Sequence, residues 1–346
     1  MTKKYYVVCP SNYMSGGPDA LHQMVYYMNK QGFECKMAYL ADTQKGLKIP
    51  EPYQVYIHDF CLFKNIEDVE ENNIILPETF AFLSKKFNKA RVYIWWLGVA
   101  NYYVDRSWAK RALYLLTLPL SIVMNRELYK ASVISKAVCI ITRKQYSFTN
   151  EGDNISHLCA SYYALDFIGN KTKKKVYKCI EPISLLFLNK YKNEASSKIR
   201  NDRILYNPRR SEDIVKKIKK RFPSYEFVPL ENLTQSQLID TYKRAKLYID
   251  FGPFPGAERI PKEAVLYGCL IITGRHGASN YHGDVPIPDN YKFADDNDLE
   301  KILSQIDFCL NNYDSCYHDF DEYRSTVLAL ESNFEKSLEL IFNSGE

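Results

Sequence analysis

Two doubly wound α/β domains joined by a hinge are predicted from three features of this sequence. Short runs of β-branched and aromatic residues alternate with stretches of helical spacing, the mark of βαβ units and a mainly parallel sheet. The alternation is interrupted by the polar run at 190–201 (KYKNEASSKIRN) and starts again at 203 (RILYNP). Residues 248–273, YIDFGPFPGAERIPKEAVLYGCLIIT, then read as strand, Gly/Pro loop, helix and strand in immediate succession. At 346 residues the chain is long enough for two domains, each with its own core.

In chain order, residues 5–10 (YYVVCP) form the first strand, and the loop SNYMSGGP leads into a helix over 19–31. Leu21, Met24, Val25 and Met28 keep helical spacing there, and Gly32 ends it. Further strands are ECKMAYL (34–40), QVYIHDF (54–60), NNIILP (72–77), ARVYIWWLG (90–98), AVCIITR (137–143) and ISHLCA (155–160). Trp95 and Trp96 fall in one of these and belong to the core, with stacking on a sugar ring as the other use of such a side chain. Helices are predicted over 78–87 and 161–168, and KTKKK (171–175) reads as a solvated turn.

After the hinge come a strand at 203–208, a helix at 212–221 and a strand at 225–230 (YEFVPL). Thr234 is an N-cap with Gln237 as its capping-box partner, opening the next helix. Pro261 suits the first turn of a helix that Gly268 closes, and CLIIT (269–273) has the composition of a buried parallel strand. Asp295, Asp296 and Asp298 sit between YKF and the amphipathic LEKILSQI, so they read as helix capping rather than a metal site, and no catalytic metal is expected. The tail over 317–342 is helical in pattern. The expected domains are 1–190, 198–316 and a C-terminal helix, 317–346, whose crossing back to the first domain is left open.

Composition excludes several classes. The chain carries 46 basic and 41 acidic side chains, a net charge of +5. That excess is too mild for a nucleic-acid binder but suits anionic substrates or an acidic membrane surface. Nine cysteines, with no Cys-x-x-Cys pair, and a start (MTKKYYVVCPSN) too short in apolar residues for a secretory signal read as a reduced, cytosolic chain without structural zinc. The apolar run 112–124 (ALYLLTLPLSIVM) is shorter than the roughly 20 residues that span a bilayer. Two readings stay open for it: a buried helix interrupted by Pro119, or an interfacial patch over 108–126 with Trp108, Tyr114 and the flanking Lys110, Arg111 and Arg126 at headgroup level.

A loop at the carboxyl end of a parallel strand, leading into a helix N-terminus, is where open α/β sheets bind phosphorylated ligands. Glu258, Arg259, Lys262 and Glu263 lie in or beside such a loop, a combination that suggests a nucleotide-sugar site. Gly16, Gly17 and Pro18 stand between the first strand and first helix, where glycines let backbone N–H groups approach a ligand at a strand's carboxyl end, the alternative being a tight turn that needs positive φ. Asp19 follows, either a base for an acceptor hydroxyl or a partner of the helix dipole, and His22 reads as packing. Asn207, Pro208, Arg209 and Arg210 follow the first strand of the second half; the two arginines supply fixed positive charge for a departing diphosphate, whereas Lys216, Lys217, Lys219 and Lys220 read as a solvated helix face. His157 and His58 lie in or at the end of strands; His157 is carried as a catalytic candidate. The loop at 274–277 (GRHG) either lines the same crevice or is a surface loop.

The order of motifs resembles GT-B glycosyltransferases, particularly bacterial enzymes of capsule or O-antigen assembly. The resemblance rests on SGGPDALHQMVYYMNKQGFECKMAYL, LYNPRRSEDIVKKI, LIDTYKRAKLYIDFGPFPGAERIPKEAVLYGCLIIT and KFADDNDLEKIL, and covers most of the chain. It implies two Rossmann-like domains facing a cleft, acceptor bound by the first and nucleotide-sugar by the second. It implies that Glu263 bonds the donor ribose hydroxyls. An earlier glutamate, eight positions before it in the family's retaining pattern, is here Pro255, so Glu258 or Asp250 is left for the sugar-binding role. Arg259 either pairs with these carboxylates or contacts phosphate.

The reading is a metal-independent transferase of hexosyltransferase type that needs no cofactor beyond its nucleotide-sugar substrate. It works on a glycan or lipid-linked acceptor in surface polysaccharide synthesis, at the cytoplasmic face of a membrane and without nucleic acid. Alternatives are a sugar-phosphate transferase acting on a glycan and a non-catalytic nucleotide- or sugar-binding protein of the same fold. Retention or inversion stays open.

Overall fold

The computed structural model describes residues 3–12, 14–41, 43, 47, 49–57, 59–99, 146–193, 200–294 and 298–343. Its packing divides the chain into two compact units, one of residues 1–181 with 333–346, the other of residues 182–332.

In the first unit, β1 (Lys4–Pro10) feeds α1 (Gly16–Lys30), which returns to β2 (Glu34–Leu40). Leu21, Met24, Val25 and Met28 of α1 are all buried, as their spacing predicts. Gly32, at φ 87°, ends the helix in a Schellman turn: Phe33 N–H donates to the Met28 carbonyl at 3.0 Å and Gly32 N–H to that of Asn29 at 3.0 Å. With β3 (Phe60–Leu62), β4 (Asn72–Pro77), β5 (Arg91–Trp96), β6 (Ile155–Cys159) and β7 (Val176–Lys178) these strands form one sheet, ordered β3-β2-β1-β4-β5-β6-β7. Every pairing in it is parallel, which explains the near-continuous apolar runs. A short helix, α2 (Tyr162–Gly169), follows β6, capped by Ser161 Oγ accepting from Ala164 N–H at 3.0 Å.

Three expectations need correcting in this unit. The strand expected at 54–60 pairs only from Phe60; Glu51–Tyr53 form a 3₁₀ turn, and Tyr56 and Ile57 are buried by packing without joining a ladder. The helix expected at 78–87 is a 3₁₀ segment, Glu78–Lys86, broken at Phe80; Phe80 and Leu83, three residues apart, both bury, as a three-residue turn allows. The lysine-rich turn runs on into β7, a strand that its composition did not signal.

The second unit begins with α3 (Leu185–Asn193) and builds β8 (Asn201–Tyr206), α4 (Pro208–Arg221), β9 (Glu226–Pro229), α5 (Gln235–Arg244), β10 (Ala245–Asp250), α6 (Arg259–Leu266), β11 (Leu270–Gly274) and β12 (Lys292–Phe293). The sheet order is β12-β11-β10-β8-β9, again parallel throughout. The capping box at α5 is complete: Gln237 N–H donates to Thr234 Oγ1 at 3.3 Å and Thr234 N–H to Gln237 Oε1 at 2.8 Å. Thr234→Ala is therefore expected to lower stability by about 1 kcal/mol in urea unfolding, and Thr234→Ser to restore most of it.

The helix expected from 212 starts at Pro208, because Asn207 caps it and proline is pre-set for the first helical position. Arg209 and Arg210 consequently lie in a helical turn rather than in the preceding loop. α7 (Leu299–Asn311) starts after Asp298, whose side chain makes no capping bond and instead pairs with Lys301 at 3.0 Å. α8 (Tyr313–Tyr317) and α9 (Asp321–Asn343) complete the chain. From residue 333 onward α9 belongs to the first unit, where Phe334 lies 6.0 Å from Trp95 and Phe342 lies 5.1 Å from Tyr93 and 5.2 Å from Tyr5, ring to ring.

Among the described residues no helix is long and apolar enough to cross a membrane. The apolar run 112–124, the strand expected at 137–143, His58, Asp295 and Asp296 lie outside the described residues.

Candidate functional site

Each sheet has a topological switch point. In the first unit β1 has β2 on one side and β4 on the other; in the second, β8 has β9 on one side and β10 on the other. The chain leaves the carboxyl ends of these central strands in opposite directions, opening the crevice where such sheets bind ligands. Most residues singled out from the sequence fall at these two places.

At the second unit's switch point, α4 leaves β8 and a Gly/Pro loop leaves β10. Asn207 Oδ1 accepts from Arg209 N–H at 3.1 Å, fixing the helix start. The Arg209 side chain is exposed, and its guanidinium has no partner among the described residues. Arg210 turns the other way. Its Nη2 bonds Asp250 Oδ2, its Nη1 lies 3.1 Å from Glu258 Oε2 and donates to the Pro253 carbonyl at 3.1 Å, and its guanidinium stands 5.0 Å from the Phe254 ring. Burial alone would lower the Arg210 pKa, but Glu258 and Asp250 beside it raise it, so the group stays charged.

Asp250 is 0% exposed, and both its oxygens are occupied. Oδ1 accepts from Ser211 Oγ at 3.2 Å and Gly252 N–H at 3.1 Å, and Oδ2 accepts from Tyr248 Oη at 2.7 Å as well as from Arg210. A carboxylate this enclosed holds protein groups rather than a sugar, so Asp250 is corrected from a sugar-binding candidate to a structural one. The loop rests directly on α4: a Cβ on Gly252 would lie 2.3 Å from the Arg210 Cβ, so only glycine fits. It is also tied to the loop after β11, where Phe254 N–H donates to the His276 carbonyl at 3.3 Å and Ala278 N–H to that of Phe254 at 2.9 Å. Ser279 Oγ braces that second loop by donating to the Gly274 carbonyl at 2.6 Å.

Glu258 stands at the N-cap of α6 without making a side-chain cap. One turn on, Glu263 is buried; its Oε1 lies 3.1 Å from Arg259 Nη2 and its Oε2 accepts from Tyr242 Oη at 3.3 Å. The structure thus gathers Asn207, Arg209, Arg210, Glu258, Arg259 and Glu263 around the carboxyl ends of β8 and β10.

Gly16, Gly17 and Asp19 belong to the first unit, at the carboxyl end of β1. Neither glycine has positive φ, and a Cβ on Gly17 would meet only Leu97 Cδ1, at an ordinary 3.8 Å. The tight-turn explanation therefore fails, and neither backbone nor packing demands glycine at 17. The turn is held from outside by Tyr53, whose hydroxyl accepts from Ser15 N–H at 3.1 Å and donates to the Ser15 carbonyl at 3.0 Å. Asp19 is 4% exposed and its Oδ2 accepts from Gln23 Nε2 at 2.8 Å. His22 is a packing residue: Nδ1 donates to the Pro18 carbonyl at 2.6 Å, Nε2 accepts from Tyr39 Oη at 2.8 Å, and the ring stacks 4.4 Å from Tyr53. Burial pushes its pKa down to about 4, keeping it neutral.

His157 is corrected from a catalytic candidate to a structural one. It is 0% exposed, Trp96 Nε1 donates to its Nδ1 at 3.0 Å, and its Nε2 donates to Glu151 Oε1 at 2.8 Å. Tyr146 and Thr172 also donate to Glu151. With both ring nitrogens committed in the core, the imidazole has no free position for an acceptor. Trp95 and Trp96 are core residues as expected, and Trp95 Nε1 donates to the Cys179 carbonyl at 2.9 Å.

Ser211 and Tyr248 were missed as parts of the site, because a serine inside a helix and a tyrosine inside an apolar strand carry no signal of a shared acceptor.

No protein-family model and no curated protein matches the chain. Solved structures do. A sucrose-phosphate synthase from Thermosynechococcus elongatus superposes with a TM-score of 0.58 at 9% identity, over 99% of this chain and 98% of that one. The trehalose-6-phosphate synthase OtsA gives 0.54 at 8%, over 99% and 98%. TarM gives 0.51 at 11% over 81% of this chain, which spans only 56% of TarM. At such identities the likeness is one of fold: the chain folds as two Rossmann-like units in the manner of the GT-B glycosyltransferases.

Proposed function

We propose that this chain is a glycosyltransferase that moves a sugar from a nucleotide-sugar to a glycan or lipid-linked acceptor in surface polysaccharide synthesis, without a metal ion or further cofactor. The observation that carries the reading is the convergence of Arg209, Arg210, Glu258, Arg259 and Glu263 on one switch point, from segments some fifty residues apart in sequence. A departing nucleoside diphosphate gathers negative charge, and guanidinium groups beside two helix N-termini are suited to stabilise it. Glu263 offers a carboxylate to vicinal ribose hydroxyls, and Glu258 one to the sugar. In an inverting course Asp19 takes the acceptor proton as the acceptor oxygen bonds the anomeric carbon and the diphosphate leaves; in a retaining course the departing phosphate takes that proton. Sucrose-phosphate synthase and trehalose-6-phosphate synthase, which have this fold, support sugar transfer as the reaction class. A lipid-linked acceptor puts the work at the cytoplasmic face of a membrane, with 108–126 as the candidate contact.

The test is a thermal-shift screen of UDP, GDP, CMP and their sugars, followed by mass analysis of products. A hit and a bare hexose increment on the acceptor are expected. Arg209→Ala should weaken the hit by about 1–3 kcal/mol, the scale of a charge-assisted hydrogen bond. No shift with any nucleotide, and no transfer from any donor, would overturn the proposal.

A further inference from the structure

One carboxylate stands where the charge of a donor has to go. We infer that Glu258 occupies the Nη1 side of the Arg210 guanidinium in the free protein and yields it to a phosphate of a nucleoside diphosphate, while Asp250 acts as the positioning residue that keeps Arg210 in place. The inference rests on the donor-site reading above.

Two carboxylates share the one guanidinium, and they are not equivalent. Asp250 is fully buried and holds four donors, so moving it would strand Tyr248, Ser211 and the Gly252 N–H without an acceptor. The Glu258 side chain is 24% exposed, against 0% for Asp250 and 14% for Arg210, and it lies 3.1 Å from Nη1. It also sits at a helix N-cap without a side-chain capping bond. Arg210 Nε is buried with no hydrogen-bond partner among the described residues.

Charge decides the order of events. A phosphate arriving with Glu258 in place would put three anionic groups around one cation, which like-charge repulsion opposes. Exchange removes one of them. Asp250 and the Pro253 carbonyl hold the guanidinium still meanwhile, so the incoming anion meets a pre-set cation. The same departure frees the Glu258 carboxylate for the sugar hydroxyls of the donor, so one movement serves both ends of the ligand.

The experiment is calorimetric titration of the full chain and of Glu258→Gln with inorganic pyrophosphate, and with the nucleoside diphosphates UDP and GDP. Glu258→Gln keeps shape and hydrogen-bonding ability but removes the competing charge, so pyrophosphate should bind about tenfold more tightly than to the unmodified chain, the worth of one charge-assisted contact. Glu258→Ala should shift in the same direction, and melting curves of both variants check that they fold. Pyrophosphate affinity that is unchanged or weaker in both variants overturns the exchange. If neither UDP nor GDP binds but pyrophosphate tightens as stated, the exchange stands and the nucleotide reading falls.

Discussion

Replacing Asp250 with alanine should destabilise the second unit by about 3–5 kcal/mol, the usual result of removing one partner from a buried ion pair. The substitution leaves Arg210 with a charge in a site that burial disfavours, and strips Tyr248, Ser211 and the Gly252 N–H of their acceptor. Asp250→Asn, which keeps volume and one good acceptor, should cost about half as much. Of the chain's three tryptophans, Trp95 and Trp96 are buried in the first unit and none lies in the second, so the buried indoles report on the first unit. Urea unfolding followed by far-ultraviolet circular dichroism should therefore lose stability while the tryptophan transition stays put. A shift of the two transitions together, or a loss below about 0.5 kcal/mol, which is ordinary for surface positions, would remove Asp250 as the anchor of this site.

The second large effect lies in the first unit. Glu151→Ala should cost about 3 kcal/mol, read this time in the tryptophan transition, because it removes the acceptor shared by the buried His157 imidazole, Tyr146 and Thr172. The effect depends on pH. Burial alone would raise the Glu151 pKa, but the bonds from His157, Thr172 and Tyr146 outweigh it and hold the carboxyl below its ordinary value of 4.5. The ionised form is thus favoured by folding. Its contribution is complete above the unfolded value and is lost as the pH falls through the lower folded one. Glu151→Gln should accordingly flatten the acid side of the stability profile, and an unchanged acid slope would show that Glu151 is not held ionised by its neighbours.

Local chemistry made much of the fold legible. Gly32 and Gly268 are left-handed helix ends, the Thr234–Gln237 box caps α5, and the apolar runs at β1, β2, β4, β5 and β11 are strands because a parallel sheet buries both their faces. Errors arose where a neighbour distant in sequence overrode such signals. Tyr53 is spent on holding Ser15, so its flanking residues form a turn in place of the strand their alternation suggested. His157 looked available because nothing in ISHLC reveals that Trp96 and Glu151 close on it from another strand and the preceding turn.

The sequence by itself determined the α/β class, the restart of the alternation after residue 201, and which segments carry charge at the ends of strands, since all of these depend on residues within one or two turns of each other. Only the tertiary structure decided that Arg210 points inward while Arg209 points outward, and that Asp250 is an anchor and Glu258 the exposed partner. Those assignments follow from burial and from the sharing of a few acceptors among groups forty residues apart, and such competition exists only once the strands have been placed side by side.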